Sequence, residues 1–409
     1  MENAEDFKCR NLPHLLSSFV DTFVDFSVSG LFLPQPTNPN PNPNRNSTAT
    51  NSDVPLPSSP PLQTVHPSPD RLIAIGDLHG DLHKSKQSLR LAGLIDASDR
   101  WIGGSTAVVQ VGDVLDRGGD ELKILYFLEK LKREAEKSGG TIITMNGNHE
   151  IMNVDGDFRC TSLSGFDEFS TWADWYCIGN SMKNLCDGLA KPVDLFDGVP
   201  SVFPGVKQEF HRGIRARIAA LRPNGPISSR FLSKNLTVVV VGESVFVHGG
   251  LLPKHVFYGL ERINEEVRDW ISGLKEKVSS DLVRERDSVV WLRKFSDGLA
   301  RNCDCDTLEH VLGTIPGAKR MIMGHTIQQS GINGGCDNRA IRIDVGMSKG
   351  CGNRLPEVLE INGKSELRIL TSNPLFQKNR YESSLETKQK EGLGLLIPEH
   401  GTKQVEVKA

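Results

Sequence analysis

Residues 71–77 read RLIAIGD, residues 106–113 TAVVQVGD and residues 141–150 TIITMNGNHE. Each is a short apolar run that breaks off at or just after a glycine, leaving Asp77, Asp113 and Asn148 at the three ends. Between the first two runs lies the helix-like DLHKSKQSLRLAGLI, and between the second and third a helical stretch from Glu121 to Lys137. Strand, helix, strand, helix, strand is the pattern of a parallel sheet with crossover helices. Ligands of such sheets gather beyond the carboxyl ends of the strands, so three polar termini are expected at one edge.

Further along, LTVVVV, the turn Gly242-Glu243-Ser244 and VFVHGG form a hairpin pattern. KRMIMGH, RAIRIDV, LPEVLEI and ELRIL follow as strand candidates. With no helices read between them, they suggest a second sheet. Residues from about 160 to 235 lack alternation and carry helical patterns such as FDEFSTWADWYC and HRGIRARIAAL, a helical insertion. The fold class is α/β, with two sheets flanked by helices.

Outside this region, apolar residues recur at Leu12, Leu15, Leu16, Phe19, Val20, Phe23 and Phe26, an amphipathic helix within residues 1–33. It is expected to dock back on the domain or to bind a partner. Residues 34–69 are rich in Pro, Asn and Ser and read as a disordered linker. The catalytic domain is placed at residues 70–375, and residues 376–409 read as a polar tail. No repeat is evident.

The formal net charge of the 409-residue chain is -3, which gives no global reason to bind nucleic acid. No run approaches the roughly 18–20 apolar residues of a membrane span. The start, MENAEDF, is acidic, unlike a presequence, and the cytosol is the expected compartment. Eight cysteines are too sparse to imply a disulfide framework, and free thiols are the default expectation. Seven of them fall in two groups, Cys160 to Cys186 and Cys303 to Cys351, which leaves local oxidation open. Trapping through internal cysteines would place the chain in the mitochondrial intermembrane space, the alternative compartment.

The chemistry resides in five blocks: GDLHG (76–80), GDVLDRG (112–118), GNHE (147–150), HGG (248–250) and GHT (324–326). Each is weak alone, but their order is difficult to obtain by accident. Two divalent ions a few ångströms apart repel, so a site for both needs a bridging anion and open positions for water and a phosphate oxygen. Carboxylates bridge; a mixed Asp, His and Asn set suits Mn, Fe or Zn better than Ca or Mg.

These blocks resemble those of the phosphoprotein phosphatase family, within the metallophosphoesterase superfamily, over residues 70 to 350. The resemblance implies a two-sheet β-sandwich of the metallophosphoesterase type. It implies that Asp77 and His79 bind one metal, that Asp113 bridges, and that Asn148, His248 and His325 complete the second. It further implies that a hydroxide between the metals attacks the phosphate and that His149, held by Asp116, donates the proton. Arg117 would clamp the phosphate; Arg293, in SVVWLRKF, stands where the family has a second phosphate-binding arginine. Substrates would be phosphoproteins, most simply phosphoserine and phosphothreonine, with Mn as the metal and Fe or Zn as alternatives.

Within the family, GHTIQ and IDVGMSKG resemble the Shewanella-like branch of plants and some protists, in its non-plastid type. A SAPNYC-like loop is lacking, which implies poor inhibition by okadaic acid and microcystin. Alternatives on the same site are a phosphotyrosine phosphatase, a dinucleoside polyphosphate hydrolase or a phosphodiesterase. A non-enzymatic scaffold would be expected to have lost a ligand or the acid, and none is missing.

Overall fold

The computed structural model describes residues 4–35, 62–185, 189, 191–363, 365–373 and 402–403. A helix α1 (Ala4–Ser29) and a two-residue strand β1 (Val65–His66) come first. Then β2 (Arg71–Ile75), α2 (Leu82–Leu91), β3 (Ala107–Gln110), α3 (Glu121–Lys137) and β4 (Thr141–Thr144) alternate as the sequence led us to expect. The three strands pair in parallel, with Ile75, Gln110 and Thr144 level at their ends. Ile73, Ala74, Val108 and Val109 are buried, so successive residues facing opposite sides both lack water contact. That two-sided burial is why the runs are unbroken rather than alternating.

After α4 (Asn148–Val154), the helical insertion consists of α5 (Leu163–Asn184), α6 (Gln208–Leu221) and α7 (Pro226–Arg230). Ser162 caps α5 by accepting from the N–H of Gly165. The hairpin follows as β5 (Val238–Val241) and β6 (Ser244–Val247), and then helices α8 (Pro253–Tyr258), α9 (Leu260–Ile271), α10 (Ser280–Val283) and α11 (Cys305–Thr314). The remaining strands are β7 (Arg320–Met323), β8 (Asn333–Gly335), β9 (Ala340–Arg342), β10 (Glu357–Asn362), β11 (Leu367–Thr371) and β12 (Thr402–Lys403).

Two six-stranded sheets result, the first in the order β12-β11-β10-β2-β3-β4 and the second β1-β5-β6-β7-β9-β8. The second sheet was expected to hold every late strand, and here the structure differs. LPEVLEI and ELRIL become β10 and β11 and return to the first sheet, where β10 pairs antiparallel with β2. An apolar strand such as β2 needs partners on both edges, and β3 supplies only one. β6 and β7 are parallel neighbours joined through four α-helices and a short 3-10 turn, so that connection is a crossover.

The first helix starts at Ala4, tolerates Pro13, and packs along α3 and α5. Gly179 of α5 lets it close in: a Cβ there would lie 2.5 Å from a methyl of Val24. Phe23 meets Trp175 edge-on at 5.7 Å. Buried Asp25 accepts from both terminal nitrogens of Arg230 at 2.6 and 2.8 Å. The free-thiol expectation is corrected at one pair, since Cys305 on α11 is disulfide-bonded to Cys336 after β8. Cys160, Cys177, Cys303 and Cys351 are free thiols. Most of the linker, nearly all of the tail and Cys186 lie outside the described residues; within the stretch read as linker Val65–His66 pair with β5, and within the tail Thr402–Lys403 pair with β11. Among the described residues no helix is long and apolar enough to cross a membrane.

Candidate metal centre

The five blocks converge where the strands end. Leu78 and His79 donate their N–H groups to the Asp113 carbonyl at 3.0 and 2.9 Å, and Gly80 donates to that of Val114 at 2.9 Å. These bonds zip the loops after β2 and β3 together. Glu150 fixes a third loop: one carboxylate oxygen accepts from Asp113 and Gly147 at 2.8 and 2.7 Å, the other from Val114 and Leu115 at 2.9 and 3.1 Å. His79, Asp113, Asp116, Arg117 and His325 all have φ between 44° and 68°. Left-handed backbone at non-glycine residues costs energy and persists where the surroundings over-determine it. Gly147 is required by proximity, because a Cβ there would lie 2.2 Å from an Asp113 carboxylate oxygen.

Asp113 is the hub. Its Oδ2 lies 3.1 Å from Nε2 of His248, 3.6 Å from Nε2 of His79 and 3.9 Å from Nε2 of His149. Asp77 sits beside it, with Oδ2 4.0 Å from Nε2 of His79, and its carboxylate accepts the backbone N–H of His325. The Asn148 Oδ1 lies 3.0 Å from Nε2 of His248. His79, Asp113 and His149 form one cluster and Asp113, His248 and His325 another, each with ligand atoms within 4.8 Å of one another and Asp113 common to both.

The rings are held from behind. Nδ1 of His79 faces the Leu115 carbonyl at 3.0 Å, Nδ1 of His248 that of Val111 at 2.8 Å, and Nε2 of His325 that of Trp291 at 3.2 Å. A carbonyl only accepts, so each of these nitrogens carries a proton and the other is left to the cluster. Imidazoles anchored in this way around shared carboxylates fit divalent metal ions.

The buried charges perturb one another strongly. Burial pushes the Asp113 carboxyl upward, but His248, His149 and His79 outweigh it and hold the group well below the usual carboxylate range. Burial, with Asp344 and Asp113 close by, drives Asp77 well up. Burial, with the charges of His248 and Arg293, lowers His325 to about 2. Burial lowers His79 to about 4. His248 is raised to about 10, because Asp113 and Asp77 overcome burial. A cation bound here would displace protons from the same lone pairs.

Nδ1 of His149 binds Asp116 Oδ2 at 2.7 Å. Burial works against protonation of this ring, but Asp113 and Asp116 prevail and raise its pKa. Arg293 is exposed at the rim, where its Nη1 donates to the His325 carbonyl at 3.0 Å and to Thr326 Oγ1 at 2.9 Å. Arg117 is also exposed, and its charge bears on His79 and His149. All ten residues singled out in the sequence therefore lie at one centre.

Three other residues of the centre had no role assigned from the motifs. Glu150 stood inside GNHE, and Asp344 inside IDVGMSKG, so both were in view without a function. Arg217 lies in the helical insertion, where nothing in its neighbourhood marks it.

A family model for the calcineurin-like phosphoesterase domain matches residues 70–329. The chain belongs to the calcineurin-like metallophosphoesterases. This phosphatase is 62% identical over 402 residues to Shewanella-like protein phosphatase 2 of Arabidopsis thaliana, covering 98% of its own chain and 97% of the relative. It is 30% identical to Shewanella-like protein phosphatase 1 of Plasmodium berghei, covering 71% of this chain and 72% of the relative. These matches place the phosphatase in the Shewanella-like group. In fold it resembles the cold-active protein-tyrosine phosphatase of a psychrophilic Shewanella, with a TM-score of 0.52 and 19% identity over 76% of this chain and 80% of that one. The phosphatase is a hydrolase with an α/β fold of two sheets flanked by helices.

Proposed function

We propose that this phosphatase removes phosphate from phosphoserine and phosphothreonine in proteins, with His149 as the proton donor. The carrying observation is the Asp116–His149 pair at 2.7 Å, set against a carboxylate common to two clusters of ligands. Asp77, His79 and Asp113 would hold one metal, and Asp113, Asn148, His248 and His325 the other. Manganese is the ion we assign, with iron or zinc as alternatives that the mixed donors also suit. Bound divalent ions would act as Lewis acids and lower the pKa of a water.

The chain's own groups do the rest. Arg117 and Arg293 present planar guanidinium forks to phosphate oxygens, which orients the ester for in-line displacement by water. His149, turned by Asp116, gives its proton to the departing oxygen. A serine or threonine alkoxide needs that proton more than a tyrosine phenolate, whose parent acid has a pKa of about 10. A cysteine nucleophile is disfavoured, because burial raises the nearby Cys351 thiol to about 12 and the reactive thiolate is suppressed.

The test uses Mn-loaded protein with p-nitrophenyl phosphate and matched phosphoserine, phosphothreonine and phosphotyrosine peptides, alongside Asp113→Asn and His149→Asn. Metal-dependent turnover that collapses in Asp113→Asn and favours the phosphoserine and phosphothreonine peptides is expected. Preference for the phosphotyrosine peptide would replace the substrate reading, and hydrolysis of dinucleoside polyphosphates alone would replace the function.

A further inference from the structure

The helical insertion sends one charged side chain into the interior of the centre. Arg217 of α6 is fully buried, and every nitrogen of its guanidinium is engaged. Nε donates to Asn153 Oδ1 at 2.7 Å and Nη1 to Glu121 Oε1 at 2.9 Å. Nη2 donates to Glu121 Oε2 at 2.6 Å and to Asp116 Oδ1 at 2.9 Å. The flat face of the group lies over Phe169, 4.5 Å from its ring centre.

Asp116 is thereby gripped on all sides. Its Oδ1 accepts from Arg217 and, at 2.8 Å, from Thr161 Oγ1. Its Oδ2 accepts from Nδ1 of His149 and, at 3.0 Å, from Nδ2 of Asn153. The donor Asn153 is itself oriented by Arg217, which occupies its oxygen. The backbone N–H of Asp116 donates to Glu121 Oε2 at 2.8 Å, so the acid that binds Arg217 also fixes the turn carrying Asp116. Four donors on one carboxylate leave it no freedom to rotate, and the plane of that carboxylate sets the plane of the His149 ring.

We propose that Arg217 is a positioning residue for proton donation: through Asp116 and Asn153 it aims Nε2 of His149 at the leaving oxygen. This rests on the reading of His149 as the proton donor. On it the insertion is a working part of the centre rather than a covering of it, since its α6 supplies the guanidinium and Thr161, just ahead of α5, supplies a further donor. A buried ion pair is often structural only, so the test must separate aim from stability.

The measurement is kcat and KM of the metal-loaded full chain on phosphate monoesters graded by leaving group, from 2,4-dinitrophenyl phosphate through phenyl phosphate to phosphoserine peptide. The variants are Arg217→Lys, the paired Arg217→Met/Glu121→Gln, which removes both buried charges together, and His149→Asn. A lysine cannot serve Asn153, Glu121 and Asp116 at once, and it keeps a positive charge in place. Positioning predicts that kcat for phosphoserine and phenyl phosphate falls about 30-fold or more while the dinitrophenyl ester, which needs no proton, loses less than about threefold. KM of Arg217→Lys should stay near wild type; its melting temperature should fall because buried acceptors lose donors, so kcat is compared well below it, where the variant is folded.

An equal loss on all esters, measured well below the melting temperature, overturns the proposal and leaves Arg217 a structural residue. If His149→Asn shows no dependence on the leaving group, the proton-donor reading fails first, and the proposal falls with it. Selective loss in His149→Asn with uniform loss in both Arg217 variants sinks the proposal alone.

Discussion

Glu150 illustrates how one side chain holds several loops. Its carboxylate takes four backbone N–H groups from two loops, and all of them are buried. Glu150→Gln keeps the shape but turns an amide NH2 toward two donors, which leaves buried groups unsatisfied at a cost of about 2–4 kcal/mol. We expect a melting temperature lower by several degrees and weaker metal retention, read by thermal unfolding and by metal content after dialysis. Unchanged melting would mean that the loops are held by other bonds. The site residues beside glycines were legible because metal chemistry needs Asp, His and Asn at sharp turns. Arg217 was not, because its partner Asp116 lies 101 positions away and one arginine on a helix resembles any other.

At the scale of elements, β2, β3 and β4 were readable because unbroken apolar runs belong to strands buried on both faces. The destination of β10 and β11 was not, because nothing in LPEVLEI says which sheet edge lacks a partner. Helix α8 carries a pH-sensitive element. His255 is 1% exposed, and its Nδ1 accepts from the N–H of Leu252 at 3.0 Å. Burial, helped by the charge of Lys254, lowers its pKa from 6.5 to about 4. The sign follows from linkage: above 6.5 both folded and unfolded forms are neutral, whereas below it the unfolded chain takes a proton that the folded one refuses. The stability associated with His255 is therefore intact at neutral pH and lost as pH falls through this window. His255→Gln should lose less melting temperature than wild type between pH 7 and pH 5, and identical slopes would discount this residue.

At the scale of the whole molecule, composition and charge excluded little, and neither sheet order nor the disulfide could be read from cysteine number. The Cys305–Cys336 bridge ties α11 to the strands of the second sheet. Disulfides persist in oxidising compartments and are scarce in the cytosol. Alkylation of thiols in native extract, before and after reduction, should show two additional sites appearing on reduction. Full alkylation without reductant would mean that Cys305 and Cys336 are reduced in that extract.

The residues assigned to the metals are scattered from Asp77 to His325, and the two sheets contribute them jointly. A ribosome making this chain must release His325 before both ligand sets exist, by which time β2, β3 and β4 have long been available to fold. A chain that stops short of His325 would also lack β10, the second neighbour of β2, as well as a complete ligand set. Completion of synthesis, rather than a separate inhibitor, would thus keep an unfinished hydrolase from acting on its surroundings.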